Sequence, residues 1–235
     1  MQGWSMPYLL GIDAGTTELK AVLFNEAGEI LGRAGEEYNL IYPKPGMVEF
    51  EAERYWSACV DSIRQILRES RIDPRDILSV GISSQGETFV PVDQQGEPLR
   101  RAIVWLDDRS TQECETISKR FGVETVFRTT GQNEILPMWT ATKILWLKRN
   151  EPEVFKAAHK YLLVEDYLIH KLSGVYATEG SVVSSSLLFD IPRKEWWHEM
   201  LETIGIGEGQ LPELKRSGEN VGSVTGEASR ETGLN

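Results

Sequence analysis

Residues 13 to 20 of the sequence bring together a carboxylate, a glycine, two hydroxyls and an ammonium group: Asp13, Gly15, Thr16, Thr17 and Lys20. A carboxylate at the end of a strand can hold hydrated Mg²⁺, which prefers oxygen ligands and keeps several waters. Glycine lets backbone amides approach a phosphate closely, and hydroxyl and ammonium groups add donors. The same residues also suit a polar hairpin with an Asx turn and a solvated lysine, so this segment alone leaves both interpretations open.

A second polar stretch, Gln85-Gly86-Glu87, follows the apolar segment that begins at Leu78. Ligands of α/β sheets usually bind at the carboxyl ends of strands. An amide and a carboxylate at such a position can hydrogen-bond the hydroxyls of a polar small molecule. A polar turn that faces water is the alternative interpretation.

A third stretch places Trp105 and Asp107 directly after another apolar segment. An aromatic face beside carboxylates is a common arrangement for a sugar, with C–H groups against the ring and hydroxyls on the acids. The alternative is that Trp105 belongs to the core and that the charges form a capping turn with an ion pair.

Composition excludes several classes of protein. The 235 residues include 36 acidic and 25 basic side chains, a net charge of −11, which argues against nucleic acid as a partner. Two cysteines, Cys59 and Cys114, and three scattered histidines indicate neither a disulfide framework nor a zinc site. No apolar run is long enough to span a membrane, and the N-terminus lacks a signal-peptide pattern. These features predict a cytoplasmic protein without a membrane partner.

The elements that position these residues follow an α/β pattern. Two apolar runs, Tyr8–Ile12 and Leu19–Phe24, and a third strand over residues 29–38 are joined by tight links and predict an antiparallel meander. A helix follows over residues 51–70. The segment 77–85 is nearly all apolar, as expected for a strand covered on both faces. From Thr111 the pattern is mostly helical, and residues 153–174 read as helix throughout. A mixed sheet flanked by helices is therefore expected, rather than strict βαβ alternation.

Four segments, in chain order, resemble the N-terminal domain of the FGGY carbohydrate kinases, such as xylulokinase and glycerol kinase. They are GIDAGTTELKAVLFNEAGEI, GMVEFEAERYWSACVDSIRQIL, SSQGETFVPVDQQGEPLRRAIVWLDDRS and TGQNEILPMWTATKILWLKRNEPEVFKAAHKYLLVEDYLIHKLSG. The resemblance covers residues 8–235 and leaves residues 1–7 as an N-terminal extension. It implies the actin-like, ribonuclease-H-like ATPase fold.

The resemblance also implies an activity: phosphoryl transfer from ATP, with Mg²⁺, to a hydroxyl of a sugar or polyol. It places Asp13 beside the Mg²⁺. The residues that it assigns to the phosphate path are Gly15, Thr16, Thr17 and Lys20, and those that it assigns to the substrate are Gln85, Gly86, Glu87, Trp105, Asp107 and Met138.

Three positions depart from the family patterns. Glycerol kinases carry arginine at the position of Gly86 and tyrosine at that of Met138, whereas xylulokinases carry histidine at that of Glu87. A xylulokinase-like activity on a pentulose or pentitol is therefore favoured over glycerol, while another small polyol stays open.

The family's catalytic aspartate, which is the general base, and its second domain would both follow Asn235. We therefore expect the N-terminal half of a kinase, inactive alone, with its own C-terminal kinase domain as a partner. The face left exposed would favour a homodimer. A non-catalytic sugar-binding or assembly module of the same fold is the rival hypothesis. An actin-like or chaperone-like ATPase is disfavoured, because the segments QGET and VWLDDR would have no role in it.

Overall fold

The computed structural model describes residues 7–235, so the predicted N-terminal extension lies outside this range except for Pro7. The strands are β1 (Tyr8–Ala14), β2 (Glu18–Asn25), β3 (Ile30–Glu37), β4 (Glu49–Phe50), β5 (Ile77–Ser84), β6 (Phe89–Val92), β7 (Ala102–Ile103), β8 (Lys160–Leu163), β9 (Ala177–Glu179), β10 (Phe189–Asp190), β11 (Glu195–Trp196) and β12 (Glu213–Lys215). The α-helices are α1 (Ala52–Ser70), α2 (Thr111–Thr130), α3 (Thr140–Asn150), α4 (Pro152–Ala157), α5 (Val164–Ser173), α6 (Gly180–Val183), α7 (His198–Ile204) and α8 (Gly226–Thr232).

The first sheet has the strand order β3-β2-β1-β5. Strand β2 is antiparallel to both β1 and β3, whereas β1 and β5 are parallel. The prediction of a mixed sheet with an antiparallel meander is thus confirmed. Because β1 and β5 run in the same direction, their carboxyl ends meet at one edge, where Asp13 lies in register with Ser83.

Helix α1 covers one face of this sheet and packs against β2 and β3. Its buried side chains Tyr55, Cys59, Ile63 and Ile66 recur with helical spacing. They share a core with alternate residues of β1 and β2. The period of two along the strands therefore leaves every second side chain of β1, including Asp13, on the opposite face of the sheet.

Strand β5 corrects one expectation. We expected both of its faces to be covered, but none of its residues is fully buried and Leu78 is 69% exposed. It is the edge strand of the sheet in residues 7–235, and a groove of about 570 Å³ runs between it, α5 and the segment around Val221. Within the described part of the chain, β5 is therefore not covered on both faces, although its sequence is apolar.

A second, antiparallel sheet has the order β4-β7-β6-β8. Its residues Phe89, Ile103 and Leu163 enter a second core together with side chains of α2, α3 and α7. Helix α2 is kinked at Gly122, whose φ of 73° and ψ of 154° are not helical. The apolar segment before Trp105 forms only the two-residue strand β7, and a turn at Trp105 follows it.

The continuous helix predicted over residues 153–174 is wrong. The structure divides this segment into α4, strand β8 and α5. Residues Tyr161, Leu162 and Leu163 of β8 are buried and pair with β6. Burial against a partner strand therefore outweighs the local helical pattern. In the described residues, no helix combines the length and the apolar character needed to cross a membrane.

Candidate functional site

The turn between β1 and β2 carries the charged residues predicted for the phosphate side. Asp13 and Lys20 are exposed and lie opposite each other in register. The ammonium of Lys20 is 3.0 Å from the carboxylate of Glu18, and this contact, with a smaller contribution from Asp13, raises the pKa of Lys20. The positive charge is therefore maintained at neutral pH at the open end of the turn.

Gly15 closes this turn by donating its amide to the carbonyl of Glu18 at 2.9 Å. A Cβ atom at position 15 would lie 3.1 Å from the same carbonyl oxygen, so a larger residue there would crowd the turn. The carbonyl of Gly15 accepts hydrogen bonds from the hydroxyl of Tyr38 at 2.5 Å and from Nε2 of Gln85 at 2.9 Å. Burial raises the pKa of Tyr38, so this phenol remains a donor.

A closed ring of hydrogen bonds joins this turn to both polar stretches. The indole Nε1 of Trp105 donates to the hydroxyl of Thr16 at 2.9 Å, and Thr16 donates to Oε1 of Gln85 at 3.3 Å. The hydroxyl of Thr88 donates to the same Oε1 at 3.0 Å and accepts the backbone amide of Trp105 at 3.0 Å. The three stretches that were identified separately in the sequence therefore meet in space.

Gln85 has no hydrogen-bonding capacity left for a ligand. Its Oε1 accepts from Thr16 and Thr88, and its Nε2 donates to the carbonyl of Gly15 and to the hydroxyl of Tyr55 at 3.0 Å. A glutamine side chain offers two donor hydrogens and two acceptor lone pairs, and all four are used. The arrangement makes Gln85 a link between the turn and α1.

Glu87 adopts an unusual backbone conformation beside this ring. Its φ is 56°, and the amide of Thr88 donates to the carbonyl of Gly86 at 2.6 Å, which closes a tight turn around Glu87. Such strained turns occur preferentially at functional sites. Partial burial raises the pKa of the Glu87 carboxyl, whereas the hydroxyl of Ser185 and the charge of Lys143 oppose this rise.

Gly86 directly precedes Glu87, and Met138 lies two residues before Thr140, which contacts Glu87. The Cβ of a residue at position 86 would come within 3.2 Å of the hydroxyl oxygen of Ser185, so Ser185 occupies the space beside Gly86. Met138 is half-buried against the second core. Two residues further on, Thr140 donates its hydroxyl to the carbonyl of Glu87 at 3.2 Å.

The carboxylate of Asp107 is not accessible to a sugar, contrary to the expectation from the sequence. It is 0% exposed, and its carboxylate accepts the amide of Val48 at 2.5 Å and the amide of Arg109 at 2.9 Å. The guanidinium of Arg109 also donates to both carboxylate oxygens at 2.8 Å and reaches Glu49. Asp107 thus anchors the loop after Trp105 and is closed to solvent.

The turn at residues 13–17 fits a hydrated metal ion and phosphate groups. Within residues 7–235, no three histidine, cysteine or acidic side chains are grouped to hold a metal ion. Mg²⁺ usually takes one or two carboxylates and retains several waters, and the exposed Asp13 meets that requirement. Thr17 is also exposed, and Gly15 leaves the approach free of a side chain. These residues are suited to an anion and its cation.

Several residues of the site were not identified from the sequence: Tyr38, Tyr55, Thr88, Lys143 and Ser185. The two tyrosines and Thr88 act by supporting Gln85 or Gly15, and nothing local to them indicates this role. Lys143 did give a signal. It lies one helical turn before Leu147 on the apolar side of α3, a position where a lysine is unexpected.

Comparison with known proteins agrees with these observations. The model of the FGGY family of carbohydrate kinases, N-terminal domain, matches residues 8–235. The chain is 32% identical over 229 residues to the xylulose kinase of Staphylococcus xylosus, covering 97% of this chain and 47% of that protein. It is 35% identical over 221 residues to the glycerol kinase of Thermococcus gammatolerans, covering 92% and 44%.

The three-dimensional structure agrees as well. A crystal structure of Plasmodium falciparum glycerol kinase with ADP superposes with a TM-score of 0.87 at 26% identity, covering 97% of this chain and 47% of that chain. The chain spans about half the length of the relatives that it matches. The predicted actin-like, ribonuclease-H-like ATPase fold is confirmed, and the chain belongs to the FGGY family of carbohydrate kinases.

Proposed function

We propose that this chain is the sugar-binding half of a kinase that transfers a phosphoryl group from ATP to a hydroxyl of a sugar or polyol. The observation that carries the proposal is the hydrogen-bonded ring of Thr16, Gln85, Thr88 and Trp105. It fixes a turn suited to phosphate directly beside a carboxylate and an aromatic ring suited to a sugar. Positioning of this kind supplies much of the catalysis in phosphoryl transfer.

The phosphate side of the proposed site is the turn between β1 and β2. ATP with Mg²⁺ would supply the transferable phosphoryl group and a cation that neutralises charge developing on it. Asp13 would hold the hydrated cation. The residues proposed to line the phosphate path are Gly15, Thr16, Thr17 and Lys20, and the charged ammonium of Lys20 favours an anionic ligand there.

The substrate side is proposed to consist of Glu87, Trp105, Gly86 and Met138. Glu87 accepts a hydrogen bond from a substrate hydroxyl, and the half-buried ring of Trp105 offers its face to C–H groups. Gly86 and Met138 shape the wall. Because its carboxylate is enclosed, Asp107 acts by positioning Trp105. Gln85 also acts as a positioning residue, through the hydroxyl of Thr16 that accepts the indole of Trp105.

A pentulose or pentitol is the substrate class that we favour. Gly86 and Met138 stand where glycerol kinases carry arginine and tyrosine, so the contacts expected for glycerol are missing. We further propose that a second domain supplies the general base and closes the ATP site, because the chain spans about half of its relatives. On this proposal the 235-residue chain binds sugar but does not phosphorylate it.

Thermal unfolding with a panel of D-xylulose, D-ribulose, xylitol, ribitol and glycerol tests the proposal. A ligand that binds the folded chain raises Tm by mass action. We expect a pentulose or pentitol to raise it, Glu87→Gln to abolish the rise, and Glu134→Gln, an exposed control, to retain it. A rise with glycerol alone would contradict the substrate class, and no rise with any sugar would contradict sugar binding. ATP-dependent phosphorylation by this chain at ordinary turnover would contradict its inactivity alone.

A further inference from the structure

Lys143 lies in helix α3 beneath the two substrate-side stretches. Its side chain is 0% exposed, and its ammonium donates to the carbonyl of Val104 at 2.7 Å. Lysine is almost never fully buried unless it is paired, because the charged group loses its hydration. One hydrogen bond to a backbone carbonyl does not compensate the charge of an ammonium group. The neighbouring charged groups therefore determine how far Lys143 is stabilised in its charged form.

The charged groups that face Lys143 are Glu87, Asp107, Asp108 and Arg109. Burial lowers the pKa of Lys143 to about 7, against the opposing effects of Asp107 and Glu87. Asp107 is already paired with Arg109 at 2.8 Å. Glu87 forms no ion pair within 4.0 Å in the described chain, and the positive charge of Lys143 lowers its pKa. Lys143 therefore acts electrostatically on Glu87.

The same helix also fixes the backbone of both stretches. The carbonyl held by Lys143 belongs to Val104, which directly precedes Trp105, and it also accepts the amide of Asp107 at 3.0 Å. One turn earlier, Thr140 donates to the carbonyl of Glu87. Residues three apart lie on one side of a helix, so a single face of α3 sets the distance between Glu87 and Trp105.

We propose that Lys143 is a positioning residue of the substrate site, whose buried Nζ fixes Trp105 through the carbonyl of Val104 and whose positive charge attracts the carboxylate of Glu87, the proposed acceptor for a substrate hydroxyl. This inference rests on the proposed function for the roles of Glu87 and Trp105. Lys143 itself does not touch the substrate, because its side chain has no accessible surface.

Two NMR signals of the ligand-free 235-residue chain test this role: the pH titration of the Glu87 carboxyl ¹³C resonance and the indole cross-peak of Trp105. In Lys143→Met we expect a higher Glu87 midpoint and a displaced Trp105 cross-peak. Lys143→Arg retains the charge and should restore the midpoint. Lys148→Met, exposed on the same helix, should change neither signal. A folded Lys143→Met chain with both signals unchanged would overturn the proposal.

A measurement on the wild-type chain covers the case in which Lys143→Met does not fold. With ¹⁵N-labelled lysine, the Nζ resonance of Lys143 reports the loss of its proton. The chemical shift of the Glu87 carboxyl should change a second time at the pH where Lys143 loses its proton. A Glu87 titration with a single step would overturn the proposal.

Calorimetry with the sugar identified by the thermal panel separates this inference from the proposed function. Lys143→Met is expected to weaken sugar binding by roughly tenfold, while Lys148→Met retains the wild-type affinity. If the wild-type chain binds no sugar, the proposed function fails, and the ligand-free signals still decide whether Lys143 controls the charge of Glu87.

Discussion

Trp105 donates a hydrogen bond from its indole Nε1 to the hydroxyl of Thr16 at 2.9 Å, although the two residues are 89 positions apart. Thr16 belongs to the turn suited to phosphate, and Trp105 belongs to a stretch suited to a sugar. Since Thr16 in turn donates to Gln85, the hydroxyl lies between the two parts of the site. A change on one side should therefore be transmitted to the other.

A double-mutant cycle measures this link. Trp105→Phe removes the indole donor and keeps an aromatic ring, and Thr16→Val removes the acceptor. Each single change should destabilise the chain by about 1 kcal/mol, with a coupling energy of similar size, because both remove the same hydrogen bond. Urea unfolding followed by circular dichroism gives these free energies. Additivity within about 0.3 kcal/mol would show that the contact contributes no coupling.

Gln85 should be more sensitive than an ordinary surface glutamine. Gln85→Met keeps the length of the side chain but removes four hydrogen bonds and leaves partners without replacement. We expect a loss of about 2–3 kcal/mol in the free energy of unfolding. Gln112→Met, on the exposed side of α2, is the matched control and should stay within about 0.5 kcal/mol of wild type. Equal effects of the two changes would contradict the linking role of Gln85.

Asp107 should contribute through its charge, since its carboxylate is enclosed by donors. Asp107→Asn preserves the shape but leaves the buried guanidinium of Arg109 with less compensation. Breaking a buried ion pair costs about 3–5 kcal/mol, and the remaining contact of Arg109 with Glu49 places the expected loss near the lower end. Chemical denaturation is compared with that of Asp108→Asn, an exposed neighbour. A free energy of unfolding equal to that of the control would contradict this structural assignment.

The predictable part of the site is the part encoded locally. The turn from Asp13 to Lys20 could be predicted because strand alternation and turn chemistry lie within one short segment. The polar ends at Glu87 and Trp105 could be located because each follows an apolar strand. How these segments come together depends on contacts between residues far apart in sequence, such as the hydrogen bond from Trp105 to Thr16.

The errors have the same origin. Strand β8 was read as helix because its buried leucines and tyrosine fit either period until the partner strand β6 is known. Asp107 was read as a sugar ligand because the sequence does not show that Arg109 and Val48 enclose it. The left-handed backbone of Glu87 also has no local signal, since glycine would be the residue expected at such a φ.

Stability should fall as the pH rises from about 4 to about 7. Burial raises the pKa of Asp166 from 3.8 to about 7, and that of Glu165 likewise to about 7. Over this range the folded chain binds more protons than the unfolded chain, so raising the pH favours unfolding. Asp166→Asn keeps an oxygen acceptor for the amide of Leu163 and should flatten the dependence. The residual slope would include Glu165 and Glu87, because burial raises the pKa of both carboxyls.

Thermal unfolding between pH 4 and pH 8 provides the measurement for Asp166. Asp61→Asn, exposed on α1, is the control and should leave the slope as in wild type. A slope that is unchanged in Asp166→Asn would show that this carboxyl is ionised in the folded chain at low pH.

The open edge of the first sheet should cause self-association of this chain. Within residues 7–235, strand β5 lacks a neighbour on one side and presents unpaired backbone groups together with Leu78, and an apolar edge strand is a template for pairing with another copy. Leu78→Lys places a charge on that edge and should shift the molecule toward monomer. Leu31→Lys, on β3 at the other edge and 42% exposed in wild type, is the matched control. Sedimentation velocity across concentrations compares the three proteins. A wild-type chain that stays monomeric would contradict the prediction, and equal effects of the two lysines would show that added charge, rather than the β5 edge, governs association.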